Sequence, residues 1–365
     1  MDAVCYKAVR ILNLSFFSQT LNLLGLFNNS FHQAKAPIEI VKAPIPKIRD
    51  DQVLIKVTCC GICGTDYHLA QGDFIAKFPL IPGHEIVGVI NEVGKDVKEF
   101  NVGDRCVADN TILCDACFHC RRGQYLLCEN FESIGVTTDG GFAEYVAVES
   151  KKVYKIHNLT DEEATLVEPT SCAIHGMDRL SPPVGADALI MGAGPTGLIL
   201  AQLLKLNGAS HVVLAANKGV KTEIARNLNV ADVYFELDRE NSAAQWEEIK
   251  QKYPKGFDVV IEATGAESVA NDAINYVRRG GTLMVYGVYS NEAIVKWSPA
   301  KIFGDEIKII GSFAQVHCFP RAVAYLESGK INVKGMVTDI YSIKDYHKAL
   351  DKLNSKTACK IAVKP

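Results

Sequence analysis

Short apolar runs separated by glycines and polar turns dominate the first 165 residues. Such runs occupy residues 38–40, 53–57, 86–93, 105–108 and 143–148, and most of them contain valine or isoleucine. Runs of this length that end at turn-forming residues are typical of β-strands. Several of them in succession predict a small β-barrel.

From about residue 166 the pattern changes to apolar strands that alternate with helical segments. The predicted strands are residues 188–191, 211–215, 233–236, 258–262 and 282–286, and the predicted helices include 197–207 and 221–229. This alternation predicts an α/β domain with a parallel, doubly wound sheet. Residues 307–311, 320–328 and 343–354 leave the alternation, so we predict that the tail returns to the first domain. The predicted domains are residues 1–169, 170–309 and 310–365, the last being the returning tail.

Length and composition narrow the classes of protein. A chain of 365 residues exceeds one ordinary core, and two domains are expected. A net charge of -3 with scattered charges argues against nucleic-acid binding. Twelve cysteines, several of them at metal-like spacings, indicate a reducing compartment, and a cytoplasmic location is expected.

The uncharged segment 11–31 raises the question of a membrane span or a leader peptide. Polar residues, among them several asparagines, interrupt its leucines and phenylalanines, whereas a span needs about 20 mainly apolar residues. Asp2 stands where a secretory leader would be basic, and no clear cleavage site follows. We therefore expect neither membrane insertion nor export.

Four cysteines within fifteen residues form the clearest chemical signal. Cys114, Cys117, Cys120 and Cys128 have the spacing C-x2-C-x2-C-x7-C. Four thiolates close a tetrahedral shell and leave no open position, so this pattern predicts a structural zinc site in a lobe at about residues 110–130. A set of unpaired thiols is the alternative.

A second candidate metal site involves Cys63 and the pair His84-Glu85. A mixed set of sulfur, imidazole and carboxylate ligands leaves room for water or substrate, which is typical of a catalytic zinc site. His175 is a further candidate ligand, but we expect a packed, hydrogen-bonded helix histidine because no second ligand-like residue lies beside it.

The six residues from Gly192 to Gly197 have the pattern G-x-G-x-x-G, with Pro195 and Thr196 inside it. The motif follows a predicted strand and precedes an apolar helix, which is the context of a dinucleotide-binding loop. Its glycines, Gly192, Gly194 and Gly197, let a pyrophosphate approach the amino terminus of the helix. Zinc beside a dinucleotide suggests hydride transfer.

From about Ala36 onward the chain resembles the zinc-containing medium-chain alcohol and polyol dehydrogenases. The residues that carry the resemblance are the segment from Cys60 to His68, Pro82 to Glu85, the four-cysteine lobe, Glu168-Pro169 and the glycine motif. The resemblance implies a GroES-like β-barrel domain and a Rossmann domain with the active site between them. It also implies a homodimer or homotetramer.

By the same resemblance, Cys63 and His84 are ligands of a catalytic zinc. Where the alcohol branch has a cysteine ligand, this chain has Glu168, which points to the polyol branch. Either Glu85 or Glu168 is then the third ligand, and Glu168 otherwise holds water and substrate. Thr65 and His68 match the family's proton relay.

The segment after the strand 211–215 bears on the choice of cofactor. NAD-preferring enzymes carry an acidic residue here to bind the ribose hydroxyls, and this chain has Ala216, Asn217 and Lys218. A carboxylate would repel a 2′-phosphate, so its absence, together with Lys218, favours NADP over NAD.

The resemblance implies reversible oxidation of a secondary hydroxyl of a sugar alcohol, with D-arabinitol favoured and D-xylulose or D-ribulose as the product. Sorbitol, xylitol, mannitol and L-threonine remain alternative substrates, and a catalytically silent protein that binds zinc and nucleotide is a different class. A small-molecule substrate is the expected partner, without nucleic acid or membrane.

One segment departs from the family. Residues 7–10 resemble its first strand and residues 38–40 the hairpin partner, yet more than twenty residues separate them. Long unstructured connections inside a compact domain are uncommon. Our hypothesis is that residues 11–34 are translated intron sequence, with a genuine surface insertion or docking segment as the alternative.

Overall fold

The computed structural model describes residues 1–7, 38–72, 75 and 77–365. The segment 11–34 lies outside the described residues, as do Ala8, Val9 and Arg10 of the predicted first strand. Among the described residues the first strand spans Asp2–Tyr6 and pairs antiparallel with Ile38–Lys42, with Tyr6 opposite Ile38. The prediction for residues 7–10 is therefore wrong for Lys7, because the buried apolar side chains belong to the residues just before it.

The described strands, numbered along the chain, are β1 Asp2–Tyr6, β2 Ile38–Lys42, β3 Gln52–Ile62, β4 Glu85–Val93, β5 Arg105–Ala108, β6 Thr111–Ile112, β7 Glu132–Ser133, β8 Tyr145–Glu149, β9 Val153–Lys155, β10 Asp187–Met191, β11 His211–Asn217, β12 Val233–Leu237, β13 Phe257–Glu262, β14 Val277–Val285, β15 Lys308–Gly311, β16 Val337–Ser342 and β17 Lys360–Lys364. The described α-helices are α1 Gly64–Ala70, α2 Asp161–Ala164, α3 Val167–Leu180, α4 Pro195–Leu206, α5 Val220–Asn227, α6 Ala243–Lys252, α7 Glu267–Ala273, α8 Pro299–Gly304, α9 Phe319–Glu327 and α10 Tyr346–Asn354.

The first sheet combines strands from both ends of the chain. Its order is β16-β17-β3-β4-β5-β9, and β8 also pairs with β3. The long strand β3 pairs with β8 along residues 52–56 and with β17 along residues 60–62. Two register shifts against β4 mark the positions where β3 bends.

The mainly β first domain is found as predicted, but its described strands do not close into a hydrogen-bonded ring. The strands β16 and β9 end the path and do not pair with each other in that part of the chain. One edge of β3 borders two different strands, β8 along its first half and β17 at its end. Tyr6, Ile55, Phe142 and Tyr346 are fully buried in the core of this domain.

The second sheet is parallel throughout, in the order β12-β11-β10-β13-β14-β15. Numbered from β10, this is the order 3-2-1-4-5-6 of the dinucleotide-binding fold. The predicted doubly wound sheet is confirmed. The strand β15 lies within it, so the interpretation that residues 307–311 leave the alternation is wrong: Lys308–Gly311 pair with residues 282–285 of β14.

The tail connects the sheets and brings a distant residue to the site. Helix α9 packs on α3, and α10 packs on β16 and β17. The hydroxyls of Tyr346 and Tyr6 lie 2.7 Å apart, which ties α10 to the first strand. Ile361 of β17 stands opposite Ile62 of β3, so Lys360 lies beside the end of β3. None of the described helices has the length and apolar character needed to cross a membrane.

Candidate metal centres and active site

The four predicted cysteines of the lobe converge between β6 and β7. Their sulfur atoms all lie within 4.8 Å of one another, and the sulfurs of Cys114 and Cys128 are 3.4 Å apart. Sulfurs bound to one tetrahedral ion at zinc–sulfur distance are roughly 3.8 Å apart, so the cluster has the size of a zinc site. The backbone N–H of Ala116 and the side chain of Asn130 lower the pKa of Cys114 to about 6, which favours the thiolate.

Cys63, His84 and Glu85 come together because β3 and β4 are antiparallel neighbours. Glu85 is the first residue of β4 and stands opposite Gly61 near the end of β3, while Cys63 follows that strand directly. One ligand atom from each of Cys63, His84 and Glu85 lies within 4.8 Å of the other two. Residues twenty positions apart in the chain thus form one cluster of sulfur, nitrogen and oxygen donors.

Asp66, which the sequence analysis did not single out, supports this cluster from α1. It is fully buried, and its Oδ2 accepts a hydrogen bond of 2.8 Å from the backbone N–H of Cys63. Its Oδ1 lies 3.7 Å from His84 Nδ1. A carboxylate on the far side of a metal-binding imidazole is a common way to orient the ring. Burial alone would lower the pKa of His84, but Asp66 and Cys63 outweigh it and raise that pKa well above its usual value.

Lys360 is the other residue that sequence reasoning missed. Its Nζ lies 2.5 Å from Glu85 Oε1 and also contacts Oε2, and both side chains are almost wholly buried. Gly61 makes room for this ion pair, because a Cβ at position 61 would lie 1.8 Å from Glu85 Oε2. The sequence contains no local signal for Lys360, which reaches the site only through the pairing of β17 with β3.

Glu168, on the first turn of α3, lies outside the three-residue cluster but faces the same site. Its Oε1 accepts a hydrogen bond of 3.4 Å from the thiol of Cys172. Burial raises the pKa of Glu168 to about 7, while His84 and Lys360 oppose the rise. The geometry therefore distinguishes the two glutamates: Glu85 is within the cluster of donor atoms, and Glu168 lies beside it.

Two cavities meet at the cluster. One, of about 730 Å³, is lined by Glu85, the glycine loop and the end of β11. The other, of about 530 Å³, is lined by Thr65, His68 and Glu168. Cys63 borders both cavities. Volumes of this size suit small-molecule ligands.

The glycine loop connects β10 to α4 and has the backbone that its sequence requires. Gly192 has a positive φ of 115°, and a Cβ at Gly197 would lie 2.2 Å from the carbonyl oxygen of Gly192. Gly194 precedes α4, with Pro195 in its first turn. The larger cavity is also lined by Thr196 of this loop and by three residues at and after the end of β11, namely Ala216, Asn217 and Lys218.

His175 takes no part in either cluster among the described residues. It lies on α3, and burial lowers the pKa of its imidazole. The smaller cavity has an aromatic wall in which the rings of Phe131 and Phe313 are 5.6 Å apart.

Comparison with known proteins adds three relatives and two family matches. Residues 49–158 match the family described as "Alcohol dehydrogenase GroES-like domain" and residues 195–328 the family "Zinc-binding dehydrogenase". D-arabinitol dehydrogenase 1 of Uromyces fabae is 61% identical over 92% of this chain and 96% of its own length. Sorbitol dehydrogenase of Bacillus subtilis (strain 168) is 34% identical over 90% and 94%. The structure of a zinc-binding dehydrogenase from Sinorhizobium meliloti 1021 bound to NADP superposes with a TM-score of 0.82 at 31% identity, covering 90% of this chain and 96% of that one.

Proposed function

The chain belongs to the zinc-dependent alcohol and polyol dehydrogenase family, and we propose that it oxidises a secondary hydroxyl of D-arabinitol to a ketose with NADP as the hydride acceptor. The predicted family is confirmed, as is the prediction of an oxidoreductase that acts on CH–OH groups. One observation carries the proposal: Cys63, His84 and Glu85 meet at the point where a nucleotide-sized cavity joins a substrate-sized one.

We propose that Cys63, His84 and Glu85 hold one zinc and the four lobe cysteines a second, structural one. The first donor set fits the metal because it combines a thiol, an imidazole and a carboxylate and leaves a position open. Bound zinc would supply Lewis acidity at the substrate oxygen, and bound nicotinamide would accept the hydride. Glu168 is then free to accept a hydrogen bond from a substrate hydroxyl.

In this proposal two residues of α1 carry the proton of the substrate hydroxyl to solvent. Thr65 lies next to the cluster, with its Oγ1 3.6 Å from the sulfur of Cys63. His68 is three residues further on the same helix and therefore on the same face, and both side chains line the smaller cavity. The hydroxyl of Thr65 would receive the proton of the substrate, and the imidazole of His68 would pass it to solvent.

The charge around the larger cavity supports NADP. At its adenosine end the described lining contains four basic side chains: Lys218, Lys221, Arg239 and Lys356. The sole carboxylate of that described lining is Glu85, which lies at the metal end and is paired with Lys360. With Ala216 where NAD users carry an acid, nothing in this lining repels a 2′-phosphate.

The smaller cavity supports an uncharged substrate. Its described lining contains no lysine or arginine, so it offers neither of these cations to pair with the carboxylate of L-threonine or with a sugar phosphate. Sorbitol, xylitol and mannitol are also uncharged and remain the alternative polyols. We propose D-xylulose or D-ribulose as the product, and a cytoplasmic homodimer or homotetramer as the working form.

A substrate panel tests the proposal. Purified zinc-loaded protein is assayed with D-arabinitol, sorbitol, xylitol, mannitol and L-threonine against NADP and NAD. We expect the highest kcat/KM with D-arabinitol and NADP, and two zinc ions per subunit by elemental analysis. Binding of nucleotide without turnover of any polyol would instead identify a catalytically silent protein, and one zinc confined to the cysteine lobe would overturn the proposed chemistry.

A further inference from the structure

Four residues that line the smaller cavity carry a buried polar atom without a hydrogen-bond partner among the described residues, and one of these atoms, His84 Nδ1, faces Asp66 at 3.7 Å. The other three are Asn110 Oδ1, the hydroxyl of Tyr286 and Ser312 Oγ. A buried polar atom without a partner is costly, and buried polar groups in folded proteins are nearly always satisfied. Three such atoms around one cavity indicate that a bound molecule completes their hydrogen bonds.

We propose that Asn110, Tyr286 and Ser312 bind the hydroxyl groups of the polyol that are not oxidised, and so select polyhydroxylated substrates over simple secondary alcohols. This inference rests on the proposed function and assigns these three residues to substrate selection at the same site.

Tyr286 packs against α3 at Gly176, where the helix has no side chain. It follows β14, and its backbone N–H donates to the carbonyl of Glu262 at 2.9 Å. Its ring lies over Gly176, where a Cβ would stand 3.0 Å from Tyr286 Cε2. Glycine inside a helix lowers helix stability, so this position has a packing reason. Burial, followed by the charges of Cys172 and Glu168, raises the pKa of Tyr286, which therefore stays a neutral donor.

Ser312 and Asn110 complete the arrangement from two other segments. Ser312 Oγ would lie 3.5 Å from a Cβ at Gly176, which places it near the ring of Tyr286. Asn110 is almost fully buried, and its Nδ2 donates to Ser133 Oγ at 3.1 Å. That bond fixes the amide and leaves Oδ1 as an acceptor.

These groups match the chemistry of a sugar alcohol. Every hydroxyl of a polyol can both donate and accept, and the set offers one acceptor and two hydroxyls that can do either. A simple alcohol of the same chain length would fill the cavity against Phe131 and Phe313 but leave the polar atoms unpaired. A site that is built to bind a hydroxyl discriminates strongly against analogues that lack it.

The experiment compares Tyr286→Phe and Ser312→Ala with the wild type on two substrates, D-arabinitol and 2-pentanol. Each variant should lose about 10- to 100-fold in kcat/KM for D-arabinitol, mainly through KM, and little for 2-pentanol. Tyr325→Phe is the matched control, because Tyr325 lies on α9 and does not line either cavity. Zinc content and melting temperature are measured to show that each variant is folded and loaded.

Direct binding gives a second readout. Calorimetric titration of D-arabinitol into protein saturated with NADPH, which cannot accept a hydride, should show affinity falling by the same factor in each variant. If the wild type oxidises D-arabinitol and both variants have the same selectivity and affinity as the wild type, this inference is overturned and the proposed function stands. A wild type that neither oxidises nor binds any polyol overturns the proposed function as well.

Discussion

The buried ion pair between Lys360 and Glu85 allows a quantitative test of the proposed metal site. The change is Lys360→Met, which keeps an unbranched apolar side chain but removes the terminal ammonium group and its charge. In the folded protein Lys360 is 4% exposed and its Nζ lies 2.5 Å from Glu85 Oε1. The variant leaves the Glu85 carboxylate buried without its cation.

The expected loss follows from that burial. Removing one partner of a buried ion pair costs about 3–5 kcal/mol because the other charge stays buried and uncompensated. With an unfolding entropy of about 2.1 cal/mol/K per residue over 365 residues, that loss corresponds to a fall in melting temperature of roughly 4 to 7 °C. Zinc bound to Glu85 would replace the missing cation, so the loss should be smaller in the zinc-loaded protein than in the zinc-free one.

The assay is urea unfolding of wild type and variant, each with zinc and with a chelator. The free energy of unfolding lost by the variant is then compared between the zinc-loaded and the zinc-free protein, and the wild type shows how much zinc stabilises the fold in general. Lys364→Met is the matched control: Lys364 lies on the same strand and pairs with Glu162 at 2.7 Å, but it is 44% exposed. Such a surface pair contributes about 0–1 kcal/mol. Equal losses in the two variants would refute the argument from burial, and a Lys360→Met loss that zinc does not reduce would refute Glu85 as a ligand.

Three further predictions concern other parts of the molecule. Cys63→Ala should abolish turnover and keep the melting temperature, whereas Cys114→Ala should lower that temperature because it opens the lobe; calorimetry and a turnover assay separate the two. Ala216→Asp should shift the ratio of kcat/KM values from NADP toward NAD by at least about tenfold through repulsion of the 2′-phosphate, and an unchanged ratio would place selectivity elsewhere. Arg278 donates to Asp187 at 2.8 Å and lowers its pKa. Because the pKa of Asp187 is lower in the folded protein than its unfolded value of about 3.9, the ionised carboxylate stabilises the fold at pH values above about 4. Arg278→Gln should therefore be less stable than wild type at pH 7, and the difference in free energy of unfolding, measured with urea, should shrink as the pH falls below about 4.

The site residues that sequence analysis singled out, and that the structure brings together, are marked by local patterns, while their roles stay predictions. The lobe cysteines fall within fifteen residues, so their spacing alone indicates a shared ion. The glycine loop depends on backbone conformation over six residues, and Gly192 and Gly197 have the φ value and the close approach that the motif requires. Cys63 and His84 were found because each belongs to a short recognisable string, although the antiparallel pairing that joins them was not visible.

The features that were missed or wrong depend on long-range pairing. Nothing in the local sequence distinguishes Asp66 from an exposed acidic residue of a helix, and only the structure shows that it is buried beside His84. The short strands of the first domain were predicted, but not their partners, because hydrogen-bond partners are decided by register, and β3 pairs first with β8 and then with β17 along its length. The strand β15 lacks a strong apolar pattern because its residues lie at the sheet edge, where most of them are exposed.

The position of Lys360 shows why the two ends of the chain have to fold together for the site to exist. Glu85 is placed by β4, and a carboxylate buried there is unfavourable until β17 pairs with β3 and brings the lysine, 275 residues further along the chain. Gly61 lies between them and leaves the space in which the pair forms. The candidate metal cluster of Cys63, His84 and Glu85 is therefore supported by the last of the described strands, and we expect pairing of β17 with β3 to be a condition for a stable site as well as for a complete sheet.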